Sequence, residues 1–349
     1  MATERILVYG AGAVGALLGG RLAAAGRPVT LLGREPLRQA VAAHGLRLHL
    51  PPPEGARRVD LPVVTSLAAL DSASTPTIVL LTVKAYAVAA ALPDLEALAR
   101  TGATVVSLQN GVGVEEELAT LPRLLAGSFT LSASSSAPGE VGQETTGGGL
   151  ALAPVRGAAD PAPLAGICGA AGLPTLLLAD YRRLKWSKLL LNLLGNAGAA
   201  LLALSPDALL ADPRLFALER RVFLEALAVM RALSLAPYAL PGYDVPLLAR
   251  AMRLPEPLAR RLLAGRIARG RGDKPPSLRL ELERGRRRTE LDWLNGAVAR
   301  HGAALGIATP ANAALTALFH AAACDPALRR QLAGNPGLLL ARIGEMGAG

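Results

Sequence analysis

Cysteine is scarce in this chain. Cys168 and Cys324, two in 349 residues, are too few for a disulfide framework or a cysteine metal cage. The four histidines (His44, His49, His301 and His320) fall at no metal-ligand spacing, so no metal is expected and all four read as structural or surface residues. Aromatic residues make up only 3% of the chain, and none lies between residues 250 and 288. Apolar residues reach 51%, yet no uninterrupted run attains the length of about 18 needed to span a bilayer. The best stretch, Leu189 to Leu204, carries Asn192 and Asn196 in its middle. Met1 to Arg5 passes straight into a strand-like run without a signal-peptide pattern. These absences predict a cytoplasmic protein with no membrane partner.

Lysine is nearly missing as well. Among 37 basic residues only Lys84, Lys185, Lys188 and Lys274 are lysine. Lysine can lose its proton where a site lowers its pKa, whereas arginine effectively cannot, so each lysine is a candidate for a place where guanidinium would not serve, the alternative being chance. The net charge of +10 is also concentrated. Residues 250–288 hold 13 basic and four acidic side chains, a local +9. Such a block suits nucleic acid, a membrane surface, a small anion or a solvated helix face. Without aromatics for base stacking or a recognisable motif, nucleic acid is the weakest of these.

At about 100 to 200 residues per domain, the length predicts two domains. Pro161, Pro163 and Gly166 lie in a loop-like stretch, and the boundary is placed between 1–177 and 178–349. The first half reads as α/β. Ile6 to Tyr9 is a buried-strand pattern, followed by Gly10-Ala11-Gly12-Ala13-Val14-Gly15, an apolar helix and a second strand, Pro28 to Leu32. That is the context a dinucleotide fingerprint requires. Gly10 permits the tight turn, Gly12 admits the pyrophosphate, and Gly15 allows close helix packing. At the tip of the second strand stands Arg34 rather than a carboxylate, which points to NADPH/NADP+ rather than NAD. Ile78 to Val83 ends in Lys84, and Thr104 to Leu108 ends in Gln109-Asn110-Gly111. Both polar groups fall past the carboxyl ends of buried strands, where doubly wound sheets bind ligands. The stretch from Ser128 to Pro154 reads as antiparallel edge strands that close the domain.

The second half reads as helices. Asp180 to Leu204 is predicted as one long helix stopped by Ser205-Pro206, with Lys188, Asn192 and Asn196 four residues apart along one face. An unpaired amide buried in so apolar a helix costs roughly 2 to 7 kcal/mol, so this line needs partners in the protein or in a ligand. Further on, Thr289 and Asp292 are spaced like a capping box, which leaves Glu290 unexplained.

With these pieces assembled, the chain resembles the ketopantoate reductases (2-dehydropantoate 2-reductases). The resemblance rests on G-A-G-A-V-G at 10–15, V-K at 83–84, Q-N-G at 109–111, P-G-E-V at 138–141 and W-S-K-L-L-L-N-L-L-G-N at 186–196. It continues through P-S at 276–277, T-E-L-D at 289–292, L-N-G at 294–296 and T-P-x-N at 309–312. It implies a Rossmann domain followed by an all-helical domain with the active site in the cleft between them. Hydride would pass from NADPH to the C2 carbonyl of ketopantoate, a small anionic 2-oxo acid, giving (R)-pantoate for pantothenate and coenzyme A. By this resemblance Lys188 is the general acid and Glu290 orients it. Asn192 and Asn196 bind substrate, Ser277 its carboxylate, Asn110 bridges cofactor and substrate, and Arg34 and Lys84 hold the cofactor. The chain departs from the common pattern in having Ala197-Gly198 where many members have proline after the second asparagine, and in three successive arginines, Arg286 to Arg288. The alternatives are a reductase of another 2-oxo acid or an imine, and a non-catalytic NADP sensor. Lys188 and Glu290 argue against the sensor, and the assembly state is left as monomer or homodimer.

Overall fold

The computed structural model describes residues 4–71, 75–157, 159–271, 277–286 and 288–347; the side chains of 264–271, 277 and 347 lie outside the description. The chain divides into two compact units. The first comprises Met1–Gln109, Val114–Lys185 and Leu240–Tyr243, and the second Asn110–Gly113, Trp186–Ala239 and Asp244–Gly349.

The first unit carries an eight-stranded sheet in the order β12-β11-β8-β7-β6-β1-β2-β5. These strands are β1 (Ile6–Tyr9), β2 (Val29–Leu32), β5 (Val63–Val64), β6 (Ile78–Leu81), β7 (Thr104–Ser107), β8 (Leu124–Phe129), β11 (Leu150–Arg156) and β12 (Thr175–Leu177). From β5 to β8 all neighbours are parallel, as expected of a doubly wound fold whose strands are buried on both faces. The strand β11 turns antiparallel to β8, so part of the 128–154 stretch joins this sheet as expected, but it does not close it: β12 pairs parallel to β11 and forms the edge.

The rest of that stretch does something else. Strands β9 (Ala133–Ala137) and β10 (Glu140–Gln143) join β3 (Leu46–His49) and β4 (Ala56–Val59) in a separate four-stranded sheet. In β3, buried Leu46 and Leu48 alternate with exposed Arg47 and His49, the signature of a one-sided sheet. Helix α1 (Ala13–Ala24) packs against both sheets. A Cβ on Gly19 would stand 2.6 Å from Leu31, and one on Gly20 would stand 2.6 Å from Leu48. A helix covered on two sides has no polar face, which is why this segment is apolar but for Arg21, itself buried against Glu54 and Gln143.

Helix α6 (Tyr181–Leu193) opens the helical half, but it is shorter than the sequence predicts. The chain leaves the helix at Leu194, reaches a left-handed Gly195 (φ +59°) and restarts as α7 (Ala197–Leu202). The cause is a buried carboxylate. Glu219, on α9 (Pro213–Ala232) and 2% exposed, accepts the Gly195 N–H at 2.6 Å. A Cβ on Gly198 would stand 2.8 Å from the other oxygen of Glu219, so glycine there makes room for it. Apolar periodicity continues unbroken across the interruption and cannot reveal it. Ser205 and Pro206 begin the next helix, α8 (Pro206–Ala211), where Ser205 Oγ accepts the Ala208 N–H.

Among the described residues eight helices follow: α9, α10 (Val245–Met252), α11 (Glu256–Arg271), α12 (Ser277–Glu283), α13 (Asn295–Leu305), α14 (Pro310–Cys324), α15 (Pro326–Leu332) and α16 (Pro336–Gly347). Asn312 in α14 donates to Glu225 Oε2 and Val222 O on α9 and accepts from Asn295 on α13. Glu225 also takes the Ala311 and Asn312 N–H groups at 2.9 and 3.0 Å, capping α14 from a neighbouring helix. Among the described residues no helix is long and apolar enough to cross a membrane, and no histidine, cysteine and carboxylate cluster could hold a metal.

Candidate active site

In the first unit the glycine-rich turn has the three properties a bound pyrophosphate demands. Gly10 sits at φ +104°, with a hypothetical Cβ 2.7 Å from the Val83 nitrogen. A Cβ on Gly12 would meet nothing within 4 Å, so the open side of the turn is free for a ligand. One on Gly15 would stand 2.7 Å from the Gly10 carbonyl, and Thr82 Oγ1 donates to that same carbonyl. Ala11, Ala13 and Val14 complete the turn into α1, whose free N–H groups favour anionic oxygen. The residues present therefore fit a dinucleotide.

Arg34 is exposed at the N-terminus of α2 (Glu35–His44), directly beyond the tip of β2. Its guanidinium has no hydrogen bond or ion pair among the described residues. Glu35 beside it is occupied. Arg38 holds it at 2.8 and 2.6 Å and Gln39 at 2.9 Å, and these bonds keep its carboxyl down at about 2. Lys84, also exposed, caps the short turn Ala85–Ala87 just past β6. Gln109 donates to the Leu81 and Val83 carbonyls and so ties the ends of β6 and β7 together.

In the second unit the structure brings Asn110, Asn192 and Asn196 together. The Asn192 amide donates to Asn110 Oδ1 at 3.1 Å, and the Asn196 amide donates to the Asn192 carbonyl at 3.1 Å. Asn196 is 4% exposed and its Oδ1 has no hydrogen-bond partner among the described residues. Leaving such an acceptor unsatisfied costs about 1–3 kcal/mol. Because the helix ends before it, Asn196 does not continue the line of Lys188 and Asn192 but folds back on the last turn. From Leu184 to Leu202 every residue is buried except Lys188, Leu191 and Asn192, which form one open stripe on α6.

Residues Asn110–Gly113 form the turn that presents Asn110. Gly111 stands at φ +92°, and a Cβ there would lie 2.3 Å from the Trp293 carbonyl, which accepts the Val112 N–H at 3.0 Å. Trp293 ends the 3-10 turn Glu290–Trp293, and the Arg288 guanidinium lies over its ring at 5.4 Å. Asp292 accepts the Thr289 N–H at 3.1 Å, making half of the expected capping box. Asp292 also faces His320 at 3.0 Å. Burial pushes the Asp292 carboxyl up, but the hydrogen bonds from His320 and Thr289 outweigh it and the net direction is down. The bond to Asp292 raises the imidazole of His320. Glu290 is 3% exposed and its N–H is held by Glu281 on α12 at 2.8 Å. The Ser277 backbone opens α12, while its side chain lies outside the described residues.

One charged pair escaped sequence reasoning. Lys185, 2% exposed, lies 3.0 Å from Glu115 on α4 (Val114–Glu117). The scarcity of lysine marked Lys185, but nothing in Val114-Glu115-Glu116-Glu117 distinguishes the carboxylate that is buried. Glu219 was equally silent.

Comparisons with known proteins agree with this architecture. The description "Ketopantoate reductase PanE/ApbA" matches residues 6–157, and "Ketopantoate reductase PanE/ApbA C terminal" matches residues 180–323. The 2-dehydropantoate 2-reductase of Halobacterium salinarum is 31% identical over 330 residues, covering 92% of this chain and 99% of its own. The crystal structure of a PanE/ApbA family ketopantoate reductase from Ralstonia eutropha superposes with a TM-score of 0.75 at 31% identity, over 94% of this chain and 99% of that one. A D-mandelate dehydrogenase solved with NADH and anilino(oxo)acetate shares the fold at 23% identity and a TM-score of 0.77, over 93% of this chain and 99% of its own. The chain belongs to the ketopantoate reductase family, whose members are nicotinamide-dependent oxidoreductases acting on small 2-oxo acids.

Proposed function

We propose that this protein reduces ketopantoate to (R)-pantoate with NADPH, with Lys188 as general acid. The observation that carries the reading is the half-buried stripe of Lys188, Leu191 and Asn192 in the otherwise buried stretch from Leu184 to Leu202, with Asn192 bonded to Asn110 and the Asn196 Oδ1 acceptor buried beside them. When bound, NADPH supplies the hydride that reduces the C2 carbonyl carbon. Negative charge then builds on the carbonyl oxygen, and a positioned cation stabilises it. Lys188 Nζ gives that oxygen its proton and recovers one from water. Glu290 orients Lys188, the asparagines hold the substrate's polar groups, and Ser277 takes its carboxylate. Arg34, with no side-chain partner among the described residues, would hold the 2′-phosphate, and Lys84 would add a second cation for the cofactor. The domain assignment that goes with this reading is a cofactor-binding part over 1–177 and a substrate part over 178–349.

The test is a steady-state assay of purified protein with NADPH against ketopantoate and a panel of other 2-oxo acids. Ketopantoate is expected to give the highest kcat/KM. A higher value for another acid would reassign the substrate, and no turnover with any of them would favour a sensor.

A further inference from the structure

Lys185 and Glu115 form an ion pair for which the proposed reaction has no use. Glu115 is 3% exposed and Lys185 2%. Besides Glu115, the ammonium donates to the Gln109 carbonyl at 2.8 Å and the Gly127 carbonyl at 3.2 Å, while Ser107 Oγ donates to Glu115 at 2.5 Å. The Gln109 carbonyl just past β7, the Gly127 carbonyl within β8 and Glu115 on α4, with the Ser107 carbonyl further off at 3.5 Å, suit a compact ammonium with three rotatable donors. A planar guanidinium would bring five donors in a rigid fork. That accounts for one of only four lysines in an arginine-rich chain.

As a stabiliser the pair is a poor choice, because well-packed apolar side chains of similar volume usually serve a buried site as well or better. What the pair supplies is fixed geometry. Gln109 and Glu115 stand on either side of Asn110–Gly113, and Lys185 holds both. Lys188 follows Lys185 by one helical turn on α6, and Asn192, one turn further, is bonded to Asn110. We infer that Lys185, neutralised by Glu115, is a positioning residue: it sets the Asn110 turn and the rotation of α6, and through them the placing of Lys188 and Asn192. The inference rests on the function proposed above.

Three variants test it: Lys185→Met, the double variant Lys185→Met/Glu115→Met, and Lys188→Ala. Lys185→Met strands a buried carboxylate, so its melting temperature should fall by roughly 5 °C or more. The double variant removes both charges and should recover most of that loss. Its kcat on ketopantoate should nonetheless stay about 10- to 100-fold low, the effect of misplacing a reacting group by about an ångström, with KM for NADPH unchanged. A double variant that regains both stability and kcat would show a purely structural pair and overturn the inference while leaving the role of Lys188 intact. A fully active Lys188→Ala enzyme would overturn the functional reading and this inference with it. Should the methionine variants not fold, Glu115→Gln keeps the shape and an acceptor oxygen. It should lower kcat without changing KM for NADPH, and a wild-type kcat there would equally sink the idea.

Discussion

Asn192 and Asn110, 82 residues apart in sequence, are joined by one amide hydrogen bond of 3.1 Å. Asn110 follows a strand of the parallel sheet and Asn192 lies on the helix that carries Lys188. Breaking this bond from either side should cost the same contact. The variants Asn110→Ala and Asn192→Ala should therefore be non-additive in kcat/KM, with a coupling of about 1 kcal/mol, the net worth of an ordinary hydrogen bond. Strict additivity in the double-mutant cycle would show that the bond plays no part in turnover.

Lys188→Ala should lower kcat on ketopantoate by at least about 100-fold, the low end of what a general acid contributes. Its KM for NADPH should stay near the wild-type value. Near-normal turnover would remove Lys188 from the mechanism.

Arg34→Ala should weaken NADPH by about ten- to a hundredfold, as expected for losing charge-assisted bonds to a phosphate, and leave NADH almost unchanged. Equilibrium titration of nicotinamide fluorescence measures both. Arg38→Ala should act in the same direction by releasing Glu35, whose carboxylate would then repel the 2′-phosphate and accept a ribose hydroxyl. Equal losses for both cofactors would contradict the 2′-phosphate role.

Gly198→Ala places a methyl group 2.8 Å from Glu219 Oε1, against a carboxylate already committed to the Gly195 N–H. The expected loss is about 1–3 kcal/mol, typical of overpacking a full interior, and urea denaturation would read it. An unchanged midpoint would mean that the helix break tolerates displacement of Glu219.

The His320–Asp292 pair predicts a pH window. His320 titrates above its ordinary value near 6.5 when folded, so its contribution is complete below that value and is lost as the pH rises through the raised pKa. Asp292 titrates below 3.8 when folded, so its contribution is present above that value and is lost as the pH falls through the lowered pKa. The gap in melting temperature between wild type and His320→Ala should be widest around pH 5–6 and shrink above neutrality. A gap that does not vary between pH 5 and pH 9 would rule the ion pair out as its source.

The sequence makes the parallel sheet readable because its strands are short buried runs and the glycine spacing fixes the first turn. The candidate site residues stand out for a similar reason: Lys188, Asn192 and Asn196 are polar in an apolar stretch. What escapes detection is set by single buried carboxylates acting over long sequence distances. Glu219 breaks a helix 24 residues away and Glu115 pairs with a lysine 70 residues on, yet each looks like an ordinary surface glutamate in its own segment. The four-stranded sheet escapes for another reason. Its strands are only four or five residues long, and β3 pairs with β10 some 90 residues later, so no local pattern announces it.

The joint of Glu225, Asn295 and Asn312 bears on how relatives of this chain should be told apart. It occupies two of the signatures by which the chain resembles its family, yet it spends them on capping one helix and tying together three. A descendant that kept this joint but exchanged Lys188 would preserve that scaffold and still match its family there, while lacking the general acid proposed above. A match at these two signatures thus speaks for the scaffold, and the proposed chemistry has to be looked for at Lys188 itself.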